Sequence, residues 1–279
     1  MKESLHLSTI KEKLCGPSQE PEQESSSPQI LGLYNFRDVG GYELSGNKSV
    51  RSGFLFRSAN LRNVSLAGLE TLRDHFGIRN TFDLCSDENS RETTIAVEGI
   101  TIQHIPTISW EESRKTLLKH FNRLSHDVVE SFMVLYEHYC TVSAPAYRAI
   151  FAHIRDGFDL PLLVYDDLGK DQTGVFIAVV LKLLGVSDQD IIEEYYRSEA
   201  EIAGLIPEMS ARLAGLPIFD GRPPENLERH LLAPREVMRA FLVYLDLTYG
   251  GGEGYLTYLG FLDVEIELIK NNLIESESV

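Results

Sequence analysis

The stretch from Pro161 to Gly185, PLLVYDDLGKDQTGVFIAVVLKLLG, constrains the fold more than any other part of this 279-residue chain. PLLVY is an apolar run of strand length, and VFIAVVLKLLG is apolar on nearly every side, a pattern that suits a buried helix. Between them lies a polar loop in which Gly169 and Gly174 flank the start of the helix. A buried strand that runs through such a loop into a buried helix belongs to an α/β domain. The loop aims backbone N–H groups at one point, and the positive end of the helix dipole adds to them. The element is therefore a candidate anion cradle, with Lys170 available as an extra charge. A tight connection that binds nothing has the same spacing, so both readings stand.

The rest of the chain supports one domain. Residues 17 to 28, PSQEPEQESSSP, contain only Pro, Ser, Gln and Glu and cannot offset the entropy of ordering, so residues 1–29 read as a disordered tail and 30–279 as the domain. Ser65 and Gly77 bracket a helix with an apolar stripe at Leu66, Leu69 and Leu72. IRNTFDL (78–84) and GITIQHIPT (99–107) read as strands, with SDENSRE between them as a capped helical turn, which suggests a βαβ unit. Helical periodicity covers 127–140, 145–155, 187–200, 200–214, 235–248 and 260–273, making the C-terminal half helix-rich. Forty-two acidic residues against 26 Lys and Arg give a formal charge of −16, which repels nucleic acid and anionic lipid. No apolar run approaches the ~20 residues that span a bilayer, and Met1 to Leu14 lacks a signal-peptide core, so the expectation is a cytoplasmic protein without a membrane or nucleic-acid partner. Three widely spaced cysteines, Cys15, Cys85 and Cys140, form no metal or disulfide pattern, and no cofactor or resident metal is expected.

The loop resembles the signature of the tyrosine and dual-specificity phosphatase superfamily, in the form H-C-x-x-G-K-D-R-T-G of its bacterial and fungal branch. The match covers Gly169, Lys170, Asp171, Thr173 and Gly174, and further similarity lies in NFRDVGGY (35–42), GFLFRSANL (53–61), GIRNTFDL (77–84) and YGGGEGYLTYLGFLDVEIELIKNNL (249–273). The resemblance implies a cysteine-phosphatase-like central sheet flanked by helices. In that family a cysteine thiolate attacks phosphorus, the loop arginine clamps phosphoryl oxygens, and an aspartate protonates the leaving group. Here the family cysteine falls on Asp166, the arginine on Gln172 and the preceding histidine on Tyr165. The aspartate that resembles the general acid is kept as Asp83, while a strand-end arginine falls on Cys85.

These replacements remove the thiolate nucleophile and the fork-shaped recognition of phosphate. Asp166, Asp167 and Asp171 place up to three negative charges around a would-be dianion, opposed only by Lys170. The candidate site comprises Asp166, Asp83 and Tyr165 as acid–base groups, with Asp167, Gly169, Lys170, Asp171, Gln172 and Thr173 shaping the loop. A carboxyl in the cradle takes a low pKa from helix-end hydrogen bonds unless burial or acidic neighbours raise it. Each residue has a bland alternative: Asp166 as a cap of the following helix, Asp167 and Gln172 solvating the loop, Asp171 paired with an arginine such as Arg37 or Arg57, and Cys85 as a small buried hydrophobe rather than a displaced nucleophile. Trp110, Phe132 and Tyr136 in the 108–160 segment either line a lidded pocket or pack in the core. Three functions remain open: an isomerase-, dehydratase- or cyclase-type enzyme acting on a small organic molecule, a non-catalytic pseudophosphatase that binds a protein partner, and a weak residual phosphatase.

Overall fold

The computed structural model describes residues 30–85, 96–105, 110–157, 160–215 and 224–276. The expected tail 1–29, the SDENSRE turn and the end of the 99–107 strand lie outside these residues, as does the side chain of Trp110. The central sheet contains β1 (Arg37–Asp38), β4 (Leu55–Ser58), β7 (Leu162–Tyr165), β5 (Asn80–Asp83) and β6 (Thr101–His104), in the order β1-β4-β7-β5-β6. β4, β7, β5 and β6 run parallel, and only β1 is antiparallel. The two strands expected to form a βαβ unit, β5 and β6, are indeed parallel neighbours. A smaller antiparallel sheet joins β2 (Glu43–Leu44), β3 (Lys48–Val50) and the C-terminal β8 (Ile274–Ser276).

The central position of β7 follows from its composition. All four of its residues are buried, because both of its faces are covered. Leu162 and Val164 face the larger core cluster, with α5 (Gln172–Leu184) and the helical layer, whereas Leu163 and Tyr165 alternate into a second cluster with Phe56, Leu69 and Leu72. The second cluster is closed by α1 (Leu66–Asp74), whose first turn is capped by the Ser65 hydroxyl on the Gly68 N–H.

The larger cluster is built against α2 (Trp110–Leu124), α3 (Val128–Val142), α4 (Ala144–Arg155), α6 (Asp188–Glu201), α9 (Arg235–Tyr249), α10 (Gly251–Tyr258) and α11 (Asp263–Leu273). A 3-10 turn and α7 (Ile206–Ala214) form a third, small cluster with Leu168 and Leu231, the latter from α8 (Pro224–Leu231). Phe132 and Tyr136 are fully buried in the larger cluster, so they belong to the core and not to a pocket wall. No helix among the described residues is long and apolar enough to cross a membrane.

Candidate active site

Residues 166–171 leave the C-terminal end of β7 and turn into α5. The turn needs glycine at 169: its φ is +67°, and a Cβ there would lie 2.1 Å from the Ser58 carbonyl oxygen on the neighbouring strand. Side chains from outside the loop hold its carbonyls from behind. Asn35 Nδ2 donates to the carbonyls of Leu168 (2.9 Å) and Gly169 (3.0 Å), and Arg57 Nη2 also donates to the Gly169 carbonyl. In a planar trans peptide the N–H points opposite the C=O. Gripping the Leu168 carbonyl therefore turns the Gly169 N–H to the front of the loop.

Asp166 takes up those donors. Its Oδ1 accepts the N–H groups of Leu168 (3.1 Å) and Gly169, and its Oδ2 accepts the Thr173 N–H at the start of α5 (3.1 Å). The cradle is thus filled by a carboxylate of the protein itself. Burial pushes the Asp166 carboxyl up, Asp171 and Asp167 add to that, and the Thr173 and Gly169 N–H groups oppose it, for a result of about 6. The low value that helix-end hydrogen bonds alone would set is not reached.

The other two loop acids have cations. Asp167 pairs with Arg62 and lies 3.9 Å from Arg212 Nη1, while the Lys170 ammonium pairs with Asp171 at 2.7 Å. This corrects two expectations. Asp171 does not pair with Arg37 or Arg57, because both guanidiniums are taken by Glu194 of α6, at 2.8 Å and 2.5 Å. Nor does Lys170 serve as a charge for the cradle: fully buried, it runs into the helical layer, with its ammonium over the Phe132 ring at 4.9 Å. The account of three loop carboxylates opposed by one lysine therefore changes. Among the described residues, Asp166 is the only one of the three without a cation partner.

The Arg37–Glu194–Arg57 triad is the frame of the site. Arg37 also donates to the Glu194 carbonyl (2.8 Å), to Ser198 Oγ (3.1 Å) and to Asn35 Oδ1, so the same cluster orients the amide that grips the loop. Burial would raise the Glu194 carboxyl, but the Arg37 and Arg57 charges outweigh it and hold it below the usual range. Glu194 was not anticipated as a site residue. A signal was present: Ile191, Tyr195 and Ser198 mark the buried stripe of α6, and Glu194 falls on it at helical spacing, where an acid needs a partner.

Gln172, where the resemblance places an arginine, is bound within the scaffold and not merely solvated. Its Nε2 donates to the Leu84 carbonyl (3.1 Å) and its Oε1 accepts from Ser143 Oγ (3.1 Å). Its own carbonyl accepts the Tyr147 hydroxyl at 2.8 Å. Tyr165 lies in the second core cluster, because strand alternation sends it to the sheet face occupied by Leu163. Thr173 is buried, and its Oγ1 has no hydrogen-bond partner among the described residues.

Asp83 stands at the same end of the sheet, in register with Tyr165. Its Oδ1 accepts the Cys85 N–H at 2.9 Å, and its Oδ2 is 3.3 Å from His104 Nδ1. The Cys85 thiol is 2% exposed, and burial, Asp167, Asp83 and Asp166 all push it well above the ordinary thiol range. Cys85 is thus the small buried residue of the bland reading, with no thiolate character at neutral pH. Among the described residues, no three His, Cys, Asp or Glu side chains converge as a metal-holding group.

Comparison with known proteins agrees with this layout. A putative tyrosine-protein phosphatase of Cupriavidus necator is 26% identical over 244 residues, covering 87% of this chain and 86% of its own. The triple specificity protein phosphatase PtpB of Mycobacterium tuberculosis is 26% identical, covering 88% of this chain and 98% of its own. A tyrosine-protein phosphatase of Nostoc commune is 30% identical over a shorter stretch, 47% of this chain and 45% of its own. The model of the tyrosine phosphatase family matches residues 28–275, and the chain belongs to that family.

Proposed function

We propose that this member of the family does not carry out thiolate phosphoryl transfer and that its former phosphate loop is an acid–base site, with Asp166 exchanging a proton with a neutral or cationic small organic molecule in an isomerase-, dehydratase- or cyclase-type reaction. The observation that carries this reading is Asp166 itself: a buried carboxyl, alone among the loop acids in lacking a cation partner among the described residues, with a pKa pushed up to about 6. A group that titrates near the working pH is both a competent base and a competent acid. Asp83 is the candidate complementary group, standing at the same sheet end beside Cys85. Phosphate is disfavoured because its donors are already engaged by an internal anion and no arginine occupies position 172.

A second reading, a non-catalytic module that binds a protein partner, is favoured by a different observation. Asp83 and Gln172 already have internal partners, and Tyr165 packs in the core. The first test is hydrolysis of p-nitrophenyl phosphate by the purified full chain. Background turnover is expected, and turnover at rates ordinary for a thiolate phosphatase would overturn the proposal. The second test compares wild type and Asp166→Asn against a panel of small organic metabolites. Substrate consumption that disappears in the variant supports the acid–base site, and consumption that persists unchanged removes Asp166 from it.

A further inference from the structure

The end of α5 shows an exchange of roles between two aspartates. Asp171 occupies the N-cap position of α5, yet its side chain makes no cap hydrogen bond. An aspartate there ordinarily accepts the N–H of the second or third helical residue. In this helix the second of these, Thr173, donates instead to Asp166, five residues earlier than the cap. Asp171 is held aside: its Oδ1 accepts Lys170 Nζ at 2.7 Å and the Tyr136 hydroxyl of α3 at 3.0 Å, and Tyr136 pairs in turn with the Tyr195 hydroxyl of α6 at 2.7 Å. Lys170, Tyr136 and Tyr195 are all fully buried, so the side chain of Asp171 is fixed from two helices as well as from its own loop.

We propose that Asp171 is a positioning residue for Asp166: fixed by Lys170 and Tyr136, it keeps a second carboxylate at the same helix end and so sets how readily Asp166 takes a proton. The proposal rests on Asp166 being the acid–base group of the site. It makes α3 part of the active machinery, since the tyrosine that fixes Asp171 comes from that helix. The surroundings of Asp166 leave few other groups able to do this. Asp167, like Asp171, is paired with a cation, but its side chain is twice as exposed, 28% against 14%, so water screens it more, and Cys85 at the end of β5 stays a thiol. Tyr139 of α3 and Tyr147 of α4 stay neutral, their hydroxyls pushed well above the ordinary range by burial. The Lys170 ammonium forms its ion pair with Asp171. The Asp171 carboxylate acts against ionised Asp166 more than the Asp167 carboxylate does.

The test is a carbon-13 titration of the side-chain carboxyls in the full chain, with Asp166 assigned by loss of its resonance in Asp166→Asn. Folded Asp171→Asn, checked by near-ultraviolet circular dichroism, is expected to lower the Asp166 midpoint by about one unit, a roughly tenfold loss of proton affinity. Asp167→Asn should move it less. An unmoved midpoint in Asp171→Asn, or a larger shift in Asp167→Asn, overturns the proposal. If Asp171→Asn does not fold, Tyr136→Phe takes its place: loss of the hydroxyl that fixes Asp171 should move the Asp166 midpoint, and an unmoved midpoint in that folded variant overturns the proposal. Failure of the acid–base reading would look different: the midpoints would respond to Asp171 while substrate turnover ignored Asp166.

Discussion

The back and the front of the loop contrast within a few residues of each other. Behind it, Asn35, Arg37, Arg57 and Glu194 form a closed set of charges and hydrogen bonds that grips two carbonyls. In front, Asp166 holds the N–H groups of the loop, and Gln172 is bound to the Leu84 carbonyl and Ser143. The carbonyls of the loop are thus held by one set of side chains and its N–H groups by another, so the two sides can be perturbed separately.

The largest expected effect tests the back. Glu194→Ala leaves two buried guanidiniums facing each other without their carboxylate, and loss of one partner from such a set costs about 3–5 kcal/mol. Urea unfolding should show it, and a cost under 1 kcal/mol would mean that the frame is not what holds the loop. Next comes the front. Because the Asp166 carboxyl is raised from 3.8 to about 6, the native chain binds more protons than the unfolded chain between those values. The contribution of Asp166 to stability should accordingly fall as pH rises from about 4 to 6, by on the order of 3 kcal/mol, and then hold level. Asp166→Asn removes this dependence, so the difference in unfolding free energy between variant and wild type should swing in the variant's favour across that window. A difference that stays flat with pH would show that Asp166 titrates as an ordinary carboxylate. The smallest effect belongs to the rim. Asp167 is partly exposed and paired with Arg62, so Asp167→Asn should change stability by less than about 1 kcal/mol, and by less still in high salt.

How much of this was legible in the sequence depends on the distance over which each feature is decided. The strand, glycine loop and buried helix at 161–185 are local, and composition alone exposes them. The same holds for α1 with its Ser65 cap. The short strands β1 to β3 carry two or three residues each, too few for a period of two to show. α10 was hidden by its glycines in GGEG, which argue against a helix on propensity. Gly252 is there because α10 packs closely on α5, where a Cβ would lie 2.5 Å from the Leu183 backbone nitrogen, and Gly254 because a Cβ would lie 1.7 Å from the Tyr249 carbonyl oxygen. The replacements at 166 and 172 could be read by register against the family pattern. The destinations of Lys170 and Asp171 could not, since they depend on Phe132 and Tyr136, more than thirty residues away in sequence.

The peptide linking Leu168 to Gly169 has one face tied to Asn35 and the other presented to position 166. Because the unit is flat and rigid, the two faces cannot turn independently, and whatever acceptor arrives at 166 meets a donor whose direction was settled elsewhere. A substitution at 166 therefore changes the acceptor that meets this peptide and leaves untouched the grip that orients it.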